Sequence, residues 1–161
     1  MKIGIVGLGR MGAAMSQRLR QNGCNVVAWD RNAAPTQPLA AAGLKIAANA
    51  YAVAAEADIV ISIITADSGV RRIFNGSDGF LSGDVKGKLF IEMSTLQPMT
   101  ARELAPMVEA RGARVIESPV LGTIPQVRDG KLFALVGGRP EDVERARPVL
   151  ELLTRRIMHM G

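Results

Sequence analysis

Ile3-Gly4-Ile5-Val6-Gly7-Leu8-Gly9-Arg10-Met11-Gly12 is the stretch of sequence that decides the fold. It opens with an apolar run typical of a buried β-strand, and a helical pattern follows over residues 11–21. Gly-x-Gly-x-x-Gly is a weak signal by itself, but between a strand and a helix it is the dinucleotide-binding fingerprint. The alternative is a plain strand-turn-helix connection without a ligand.

Each glycine of the fingerprint has its own physical task. The first permits a tight turn, the second lets the backbone approach a pyrophosphate, and the third lets the helix pack closely on the strand. The helix then directs free N–H groups and the positive end of its dipole at the anion. The residues predicted to bind a dinucleotide here are Gly7, Leu8, Gly9, Arg10, Met11 and Gly12.

Strand-like and helix-like segments alternate along the rest of the chain. The apolar runs that predict strands are residues 3–6, 25–30, 59–64, 89–93, 114–117 and 132–136, with shorter ones near 43–46 and 156–160. They are continuously apolar, as expected of strands that are covered on both faces. The pattern predicts one α/β domain over residues 1–161, a Rossmann-type, doubly wound, mostly parallel sheet with helices on both faces.

Prolines interrupt two of the helical patterns. One helix begins either at Pro98 or at a capping box that starts at Thr100, and in both cases it contains Pro106. Because proline has no N–H to donate, Pro106 predicts a kink. The last helix begins at Pro140, and Pro148 is predicted to end it and to begin a separate short helix.

Composition excludes several classes of partner. The chain is 48% hydrophobic and only 4% aromatic, which favours an α/β domain over a β-sandwich. Its net charge of +5 is spread along the sequence without a basic block, so no nucleic-acid partner is expected. No apolar run could span a bilayer, no signal peptide is visible, and the single cysteine, Cys24, excludes an internal disulfide. We therefore expect no membrane partner and a cytoplasmic location.

The end of the second predicted strand carries an acidic and a basic residue side by side. Asp30 follows Gly12 by 18 residues, close to the spacing of about 20 expected for the acid that binds the ribose 2′-OH of NAD. Arg31 points the other way, because a guanidinium can hold the 2′-phosphate of NADP. Asp30, Arg31 and Asn32 are predicted cofactor contacts, with NAD and NADP both left open.

Two further segments follow predicted strands at the carboxyl edge of the sheet, where ligands of this fold bind. Ile64-Thr65-Ala66 is expected to line the cofactor groove through its backbone, or else to be an ordinary connection. The hydroxyls of Ser94 and Thr95 are expected either to meet the nicotinamide ribose or amide, or to cap the helical segment over residues 97–109.

A third segment, Ser118-Pro119-Val120-Leu121-Gly122-Thr123, has the composition of a loop with exposed amides that could receive a carboxylate, or of a structural turn. His159 is the only histidine, and a structural role is expected for it. The sequence contains no metal-ligand spacing and no Ser-His-Asp set, so no metal site is predicted.

Taken together, these motifs resemble the N-terminal domain of the β-hydroxyacid dehydrogenases, which include 3-hydroxyisobutyrate dehydrogenase and are relatives of 6-phosphogluconate dehydrogenase. The glycine turn with Met15 is similar to the opening signature of that family. Glu92-Met93-Ser94-Thr95 is similar to its Asp-Met-Ser-Thr segment, whose Ser-Thr contacts the nicotinamide end. The resemblance implies NAD(P)-dependent hydride transfer on a small β-hydroxyacid or its semialdehyde.

Two departures from the family bear on function. Leu121-Gly122-Thr123 stands where the family has Ser-Gly-Gly after Pro-Val, so a hydroxyl expected to hold a substrate carboxylate is replaced at best by Thr123. An imine-reducing relative therefore stays an alternative, as does a dinucleotide-binding module that senses or scaffolds. The catalytic lysine of the family, its helper asparagine and the all-α dimerisation domain lie beyond the position of Gly161, so no catalytic residue is assigned within the chain and a homo-oligomer is expected only together with that domain.

Overall fold

Strands and helices alternate through the computed structural model, which describes residues 1–161. The strands are β1 (Lys2–Val6), β2 (Asn25–Trp29), β3 (Lys45–Ile46), β4 (Ile59–Ser62), β5 (Leu89–Glu92), β6 (Arg114–Glu117), β7 (Val120–Leu121), β8 (Leu132–Val136) and β9 (Thr154–His159). The helices are α1 (Arg10–Gln21), α2 (Ala33–Ala41), α3 (Ala50–Glu56), α4 (Asp67–Asn75), α5 (Pro98–Glu109), α6 (Ile124–Arg128) and α7 (Pro140–Leu153), with a 3₁₀ turn at Phe80–Ser82.

The main sheet has six strands in the order β3-β2-β1-β4-β5-β6, and every neighbouring pair is parallel. The chain winds outward from β1 to β2 and β3, and then returns to the other side of β1 with β4. The carboxyl ends of β1 and β4 therefore flank the point where the strand order reverses, which is where ligands bind in folds of this kind. The predicted doubly wound, parallel sheet is confirmed.

Both faces of this sheet are buried under helices. Ile3 and Ile5 of β1 pack in one apolar cluster with Met15 of α1, whereas Val60 and Phe90 of the neighbouring strands pack in a second cluster on the opposite face. Because successive side chains of a strand point to opposite faces, a sheet covered on both sides needs apolar residues at nearly every position. This explains the continuous apolar runs in the sequence.

The predicted strand over residues 132–136 belongs to a second, smaller sheet. Its order is β7-β8-β9, with β7 antiparallel and β9 parallel to β8. Reciprocal backbone hydrogen bonds between Glu117 and Gly137, at 2.9 and 2.8 Å, join this sheet to the end of β6. The run expected near residues 156–160 is present as β9 and begins slightly earlier, at Thr154.

The prediction that Pro148 ends the last helix is wrong, because α7 runs unbroken through it. Val149, Leu150 and Leu153 beyond the proline are fully buried. Burying each such side chain contributes about 1.5–3 kcal/mol, which together exceeds the cost of roughly 3 kcal/mol for an internal proline. Helix α5 begins at Pro98 and also continues past Pro106, while the kink expected there stays a prediction.

The sequence did not predict α4, α6 or β7, all of which are short.

No helix combines the length and the apolar character that crossing a bilayer requires.

Candidate functional site

The turn between β1 and α1 can be made only with glycine at two positions. Gly7 has a φ of +101°, and a Cβ there would overlap the carbonyl oxygen of Ile63 on the neighbouring chain segment. A Cβ on Gly12 would overlap the carbonyl oxygen of Gly7. These two glycines therefore let the turn close and let α1 approach β1, as the fingerprint predicts.

Gly9 is different, because a Cβ at this position would meet no heavy atom within 4 Å. Its φ of −63° and ψ of −172° are open to other residues, so conformation does not require glycine here. The first helical hydrogen bond runs from the Ala13 N–H to the Gly9 carbonyl at 2.8 Å, which leaves the N–H groups of Arg10, Met11 and Gly12 without helical partners. With no acidic residue in the first turn, this open space suits an anion.

Asp30 fastens the glycine turn to the end of β2. One carboxylate oxygen accepts the Leu8 N–H at 2.7 Å, and the other accepts the Asn32 N–H at 2.8 Å. Each oxygen keeps a further lone pair, so the carboxylate can still accept ribose hydroxyls. Asp30 therefore shapes the turn as well as presenting negative charge beside it, a structural role that its spacing from Gly12 did not reveal.

A groove of about 470 Å³ opens in front of this turn. Its wall includes eight of the predicted cofactor contacts, namely Gly7, Gly9, Asp30, Arg31, Asn32, Ile64, Thr65 and Ala66. The other four predicted contacts in the turn do not line the groove. Leu8 is buried in the core, and Met11 packs against the same core cluster. Gly12 lies under the turn, and Arg10 is exposed.

Helix α4 supplies a wall of the groove that sequence reasoning missed. Ser68, Gly69, Arg72 and Ile73 line it, together with Asp78 of the following loop. Arg71 pairs with Glu103 on α5, whereas neither Arg72 nor Arg31 forms an ion pair. The groove thus holds two unpaired arginines beside the carboxylates of Asp30 and Asp78. A helix predicted over residues 67–75 would have revealed Arg72.

Ser94 connects the ends of β4 and β5. Its hydroxyl accepts the Ile64 N–H at 2.8 Å, and its own N–H donates to the Glu92 carboxyl at 2.8 Å. The alternative that Ser94 or Thr95 caps a helix is wrong, because α5 begins at Pro98 and Gln97 is its N-cap residue. Instead both residues line a separate cavity of about 110 Å³, whose other lining residues are Glu92, Leu96, Glu117 and Pro119.

Glu92 is 1% exposed, although it carries a carboxyl group. Burial raises the pKa of Glu92 above its ordinary value, and the charge of Glu117 acts in the same direction, whereas hydrogen bonds from Ser62 and Ser94 act against it. None of the ion pairs in the structure involves Glu92. The surroundings of Glu92 therefore favour the protonated form more than water does.

This raised pKa predicts how stability depends on pH. The folded state holds a proton on Glu92 that the unfolded chain releases at about pH 4.3. The contribution of Glu92 to the free energy of unfolding is therefore full below that pH, and it is lost as the pH rises through the pKa of the folded state. Glu92→Gln stays neutral and avoids this loss. We expect its free energy of unfolding, relative to the unsubstituted protein, to increase between about pH 4 and about pH 8 in urea titrations. A difference that stays constant over this pH range would contradict the assignment.

The predicted substrate segment lies apart from both cavities. Leu121 ends β7 and is 57% exposed, and Gly122 has a φ of +149°. Thr123 is the N-cap residue of α6, and its N–H donates to the Gln126 side chain at 2.8 Å. The Nε2 of His159 lies 2.8 Å from the Gly138 carbonyl oxygen in the small sheet, which gives the histidine a structural contact.

A glycine turn at a helix N-terminus, open toward a groove at the switch point of a parallel sheet, defines the class of NAD(P)-binding Rossmann domains. Comparison with known families agrees. The model of the family described as the NAD binding domain of 6-phosphogluconate dehydrogenase matches residues 2–161, and the chain belongs to this family. No group of three or more His, Cys, Asp or Glu side chains is arranged to hold a metal ion.

Individual relatives agree with the family. The chain is 36% identical over 159 residues to 3-hydroxyisobutyrate dehydrogenase of Pseudomonas aeruginosa, a match that covers 99% of this chain and 53% of that protein. It superimposes on Psf3, solved in complex with NADP⁺, with a TM-score of 0.92 and 28% identity, over 99% of this chain and 56% of the other. An imine reductase of Bacillus cereus gives a TM-score of 0.89 and 26% identity, over 99% and 54%.

These matches confirm the resemblance to the β-hydroxyacid dehydrogenases and the NAD(P)-binding fold. Imine reductases are also structural neighbours of the chain. The chain spans about half the length of the relatives that it matches.

Proposed function

We propose that residues 1–161 are the cofactor domain of an NAD(P)-dependent oxidoreductase that acts on a small β-hydroxyacid or its semialdehyde. One observation carries the cofactor assignment: Gly9 faces open space at the N-terminus of α1, beside the carboxylate of Asp30. No fold requirement explains glycine at this position, whereas close approach of a pyrophosphate does. When bound, the cofactor supplies or accepts a hydride at the nicotinamide.

The residues divide between the two halves of the cofactor. The free N–H groups of α1 hold the pyrophosphate, and Asp30, Arg31 and Asn32 contact the adenosine ribose at the end of β2. Ile64, Thr65 and Ala66 after β4, with Ser94 and Thr95 after β5, serve the nicotinamide half on the other side of the switch point. Leu121, Gly122 and Thr123 are proposed to face the carboxylate of the substrate.

We propose that the proton donor for the reduced carbonyl belongs to an all-α domain that is not among these residues. That domain would also close the site and form the homo-oligomer.

The single cysteine, Cys24, is a free thiol, and a cytoplasmic location stays a prediction.

An imine reductase is the second candidate activity. Leu121 carries no hydroxyl where the β-hydroxyacid dehydrogenases have serine, so the feature expected to select a carboxylate is altered in this chain. A chain extended beyond Gly161 that reduces cyclic imines but not semialdehydes would favour this candidate. Cofactor binding without hydride transfer by the extended chain would favour a sensing or scaffolding module.

The preference between NAD and NADP provides a direct test of the adenosine end. Arg31 is exposed and unpaired in the groove, so it is available to a 2′-phosphate, whereas Asp30 repels one. We expect discrimination between the two cofactors below about a hundredfold, or roughly 2.7 kcal/mol. Arg31→Ala should weaken NADP(H) more than NAD(H) in calorimetric titrations.

The matched control is Arg102→Ala, an exposed arginine on α5 that does not line the groove. Equal losses of NAD(H) and NADP(H) in Arg31→Ala would show that Arg31 does not read the 2′ position. Asp30→Ala is a poorer probe, because it also removes the acceptor of the Leu8 and Asn32 N–H groups.

A further inference from the structure

Three segments meet at the buried residue Glu92, which ends the strand β5. In the parallel register of the sheet, Glu92 stands between Ser62 of β4 and Glu117 of β6. The Ser62 hydroxyl hydrogen bonds to one carboxyl oxygen, and the Ser94 N–H donates to the other at 2.8 Å. The Glu92 backbone carbonyl accepts the Ser118 N–H at 2.7 Å. Glu92 therefore has contacts at the end of β4 and in the connections that follow β5 and β6.

The hydrogen bonds continue from Glu92 to the wall of the groove. Ser94, held by Glu92 through its N–H, accepts the Ile64 N–H with its hydroxyl at 2.8 Å. Ile64 lines the large groove, and Ser94 lines the small cavity next to it. The connection after β4 and the connection after β5 are thus fixed to each other through the buried side chain of Ser94.

We infer that Glu92 is a positioning residue that holds Ser94 and the Ile64–Ala66 segment in one arrangement, so that the nicotinamide half of the cofactor meets a preformed surface. The inference rests on the proposed function, since it assigns a task within the same cofactor site. Glu92 itself is 1% exposed and does not line the large groove, so it acts through the residues that it holds.

Packing alone does not explain an acid at this position. An uncharged apolar side chain of similar length would fill the same space without the cost of burying a carboxyl group. What the carboxyl adds is a pair of oxygens that bond Ser62 on one side and the Ser94 N–H on the other. Glu92→Met removes both bonds and keeps the length of the side chain. Glu92→Gln keeps an oxygen that accepts the Ser94 N–H and places an amide N–H beside Ser62, whose hydroxyl can accept it.

The experiment compares two probes on three proteins. Calorimetric titrations measure the affinity of the unsubstituted chain, Glu92→Met and Glu92→Gln for NADP⁺ or NAD⁺, whichever binds the unsubstituted chain more tightly, and for ADP. ADP occupies the adenosine and pyrophosphate end but has no nicotinamide half. We expect Glu92→Met to weaken the dinucleotide about tenfold and to leave ADP within about twofold, while Glu92→Gln stays within about twofold for both probes.

The outcomes separate the inference from a general role in stability. Equal losses of ADP and dinucleotide in Glu92→Met, or an unchanged dinucleotide affinity in a folded Glu92→Met, would overturn the inference. If Glu92→Met does not fold, Ser94→Ala tests the same chain of contacts at its next step, and an unchanged ratio of dinucleotide to ADP affinity would again overturn it. An unsubstituted chain that binds neither probe would overturn the proposed function itself, and the inference with it.

Discussion

Gly9→Val should fold and yet lose at least about a hundredfold in cofactor affinity, or roughly 2.7 kcal/mol. The backbone at Gly9 has a φ of −63°, which valine can adopt, and a Cβ there would meet no protein atom within 4 Å. The space that the side chain would enter is the approach to the free N–H groups of α1. A branched side chain there would hold a pyrophosphate away from its hydrogen-bond donors.

Two other glycine substitutions make this test specific. Gly137→Val places a side chain where the nearest atom is 3.6 Å away, outside the groove, so its cofactor affinity should be unchanged. Gly12→Val should instead destabilise the fold, because its Cβ would overlap the Gly7 carbonyl. Calorimetry with NAD(H) and NADP(H) measures the binding, and urea unfolding measures the stability. A folded Gly9→Val with unchanged affinity would disprove the assignment of the turn.

The strands of the main sheet could be predicted because burial on both faces leaves a direct trace in the sequence. Three of the predicted strands, those over residues 25–30, 59–64 and 89–93, were too long at the carboxyl end, where the site is built. Residues 30, 63–64 and 93 continue the apolar or strand-like pattern, but in the structure they leave the strand to form the connections around the groove. Hydrophobicity records burial, and Met93 is buried and Ile63 and Ile64 are half-buried although none of the three lies in a strand.

Helix α4 was missed for a related reason. Asp67-Ser68-Gly69 at its beginning has the composition of a turn, and only Val70, Ile73 and Phe74 are buried in its short length. Tertiary packing of that small apolar face forms the helix despite a weak local signal. Because α4 was not predicted, Arg72 and the wall of the groove that α4 forms were not predicted either.

The role of Glu92 depends on information that no local pattern contains. A glutamate at the end of a strand is usually exposed. Its burial here follows from which residues β4 and β6 place beside it, Ser62 and Glu117, and hence from the strand order of the whole sheet. The motif at residues 92–95 suggested a nicotinamide contact through its hydroxyls, but not that the Glu92 carboxyl holds Ser94, whose hydroxyl joins the two connections.

Residues 1–161 assayed by themselves should bind the cofactor and show no appreciable turnover of semialdehydes or β-hydroxyacids. Reduction of a carbonyl by hydride requires a proton for the developing alkoxide, and a positioned general acid contributes about a hundred- to ten-thousandfold. The hydroxyls at the carboxyl edge are poor acids at neutral pH. That of Ser94 already accepts the Ile64 N–H, and His159 is held by the Gly138 carbonyl in the small sheet.

Closure of a second domain over the substrate would further raise the turnover of a longer protein relative to that of residues 1–161. Exposed residues, among them Arg31, Thr65 and Ala66, line the groove, so water reaches it and a small substrate would be loosely oriented, which costs further rate. The assay follows the absorbance of the reduced cofactor with glyoxylate, succinic semialdehyde and methylmalonate semialdehyde, alongside a version of the chain extended beyond Gly161. We expect turnover only in the extended version. Robust turnover by residues 1–161 would place the proton donor within them. Loss of that turnover in His159→Ala would then identify the histidine as the donor, because it is the one side chain among these candidates whose ordinary pKa lies near neutrality.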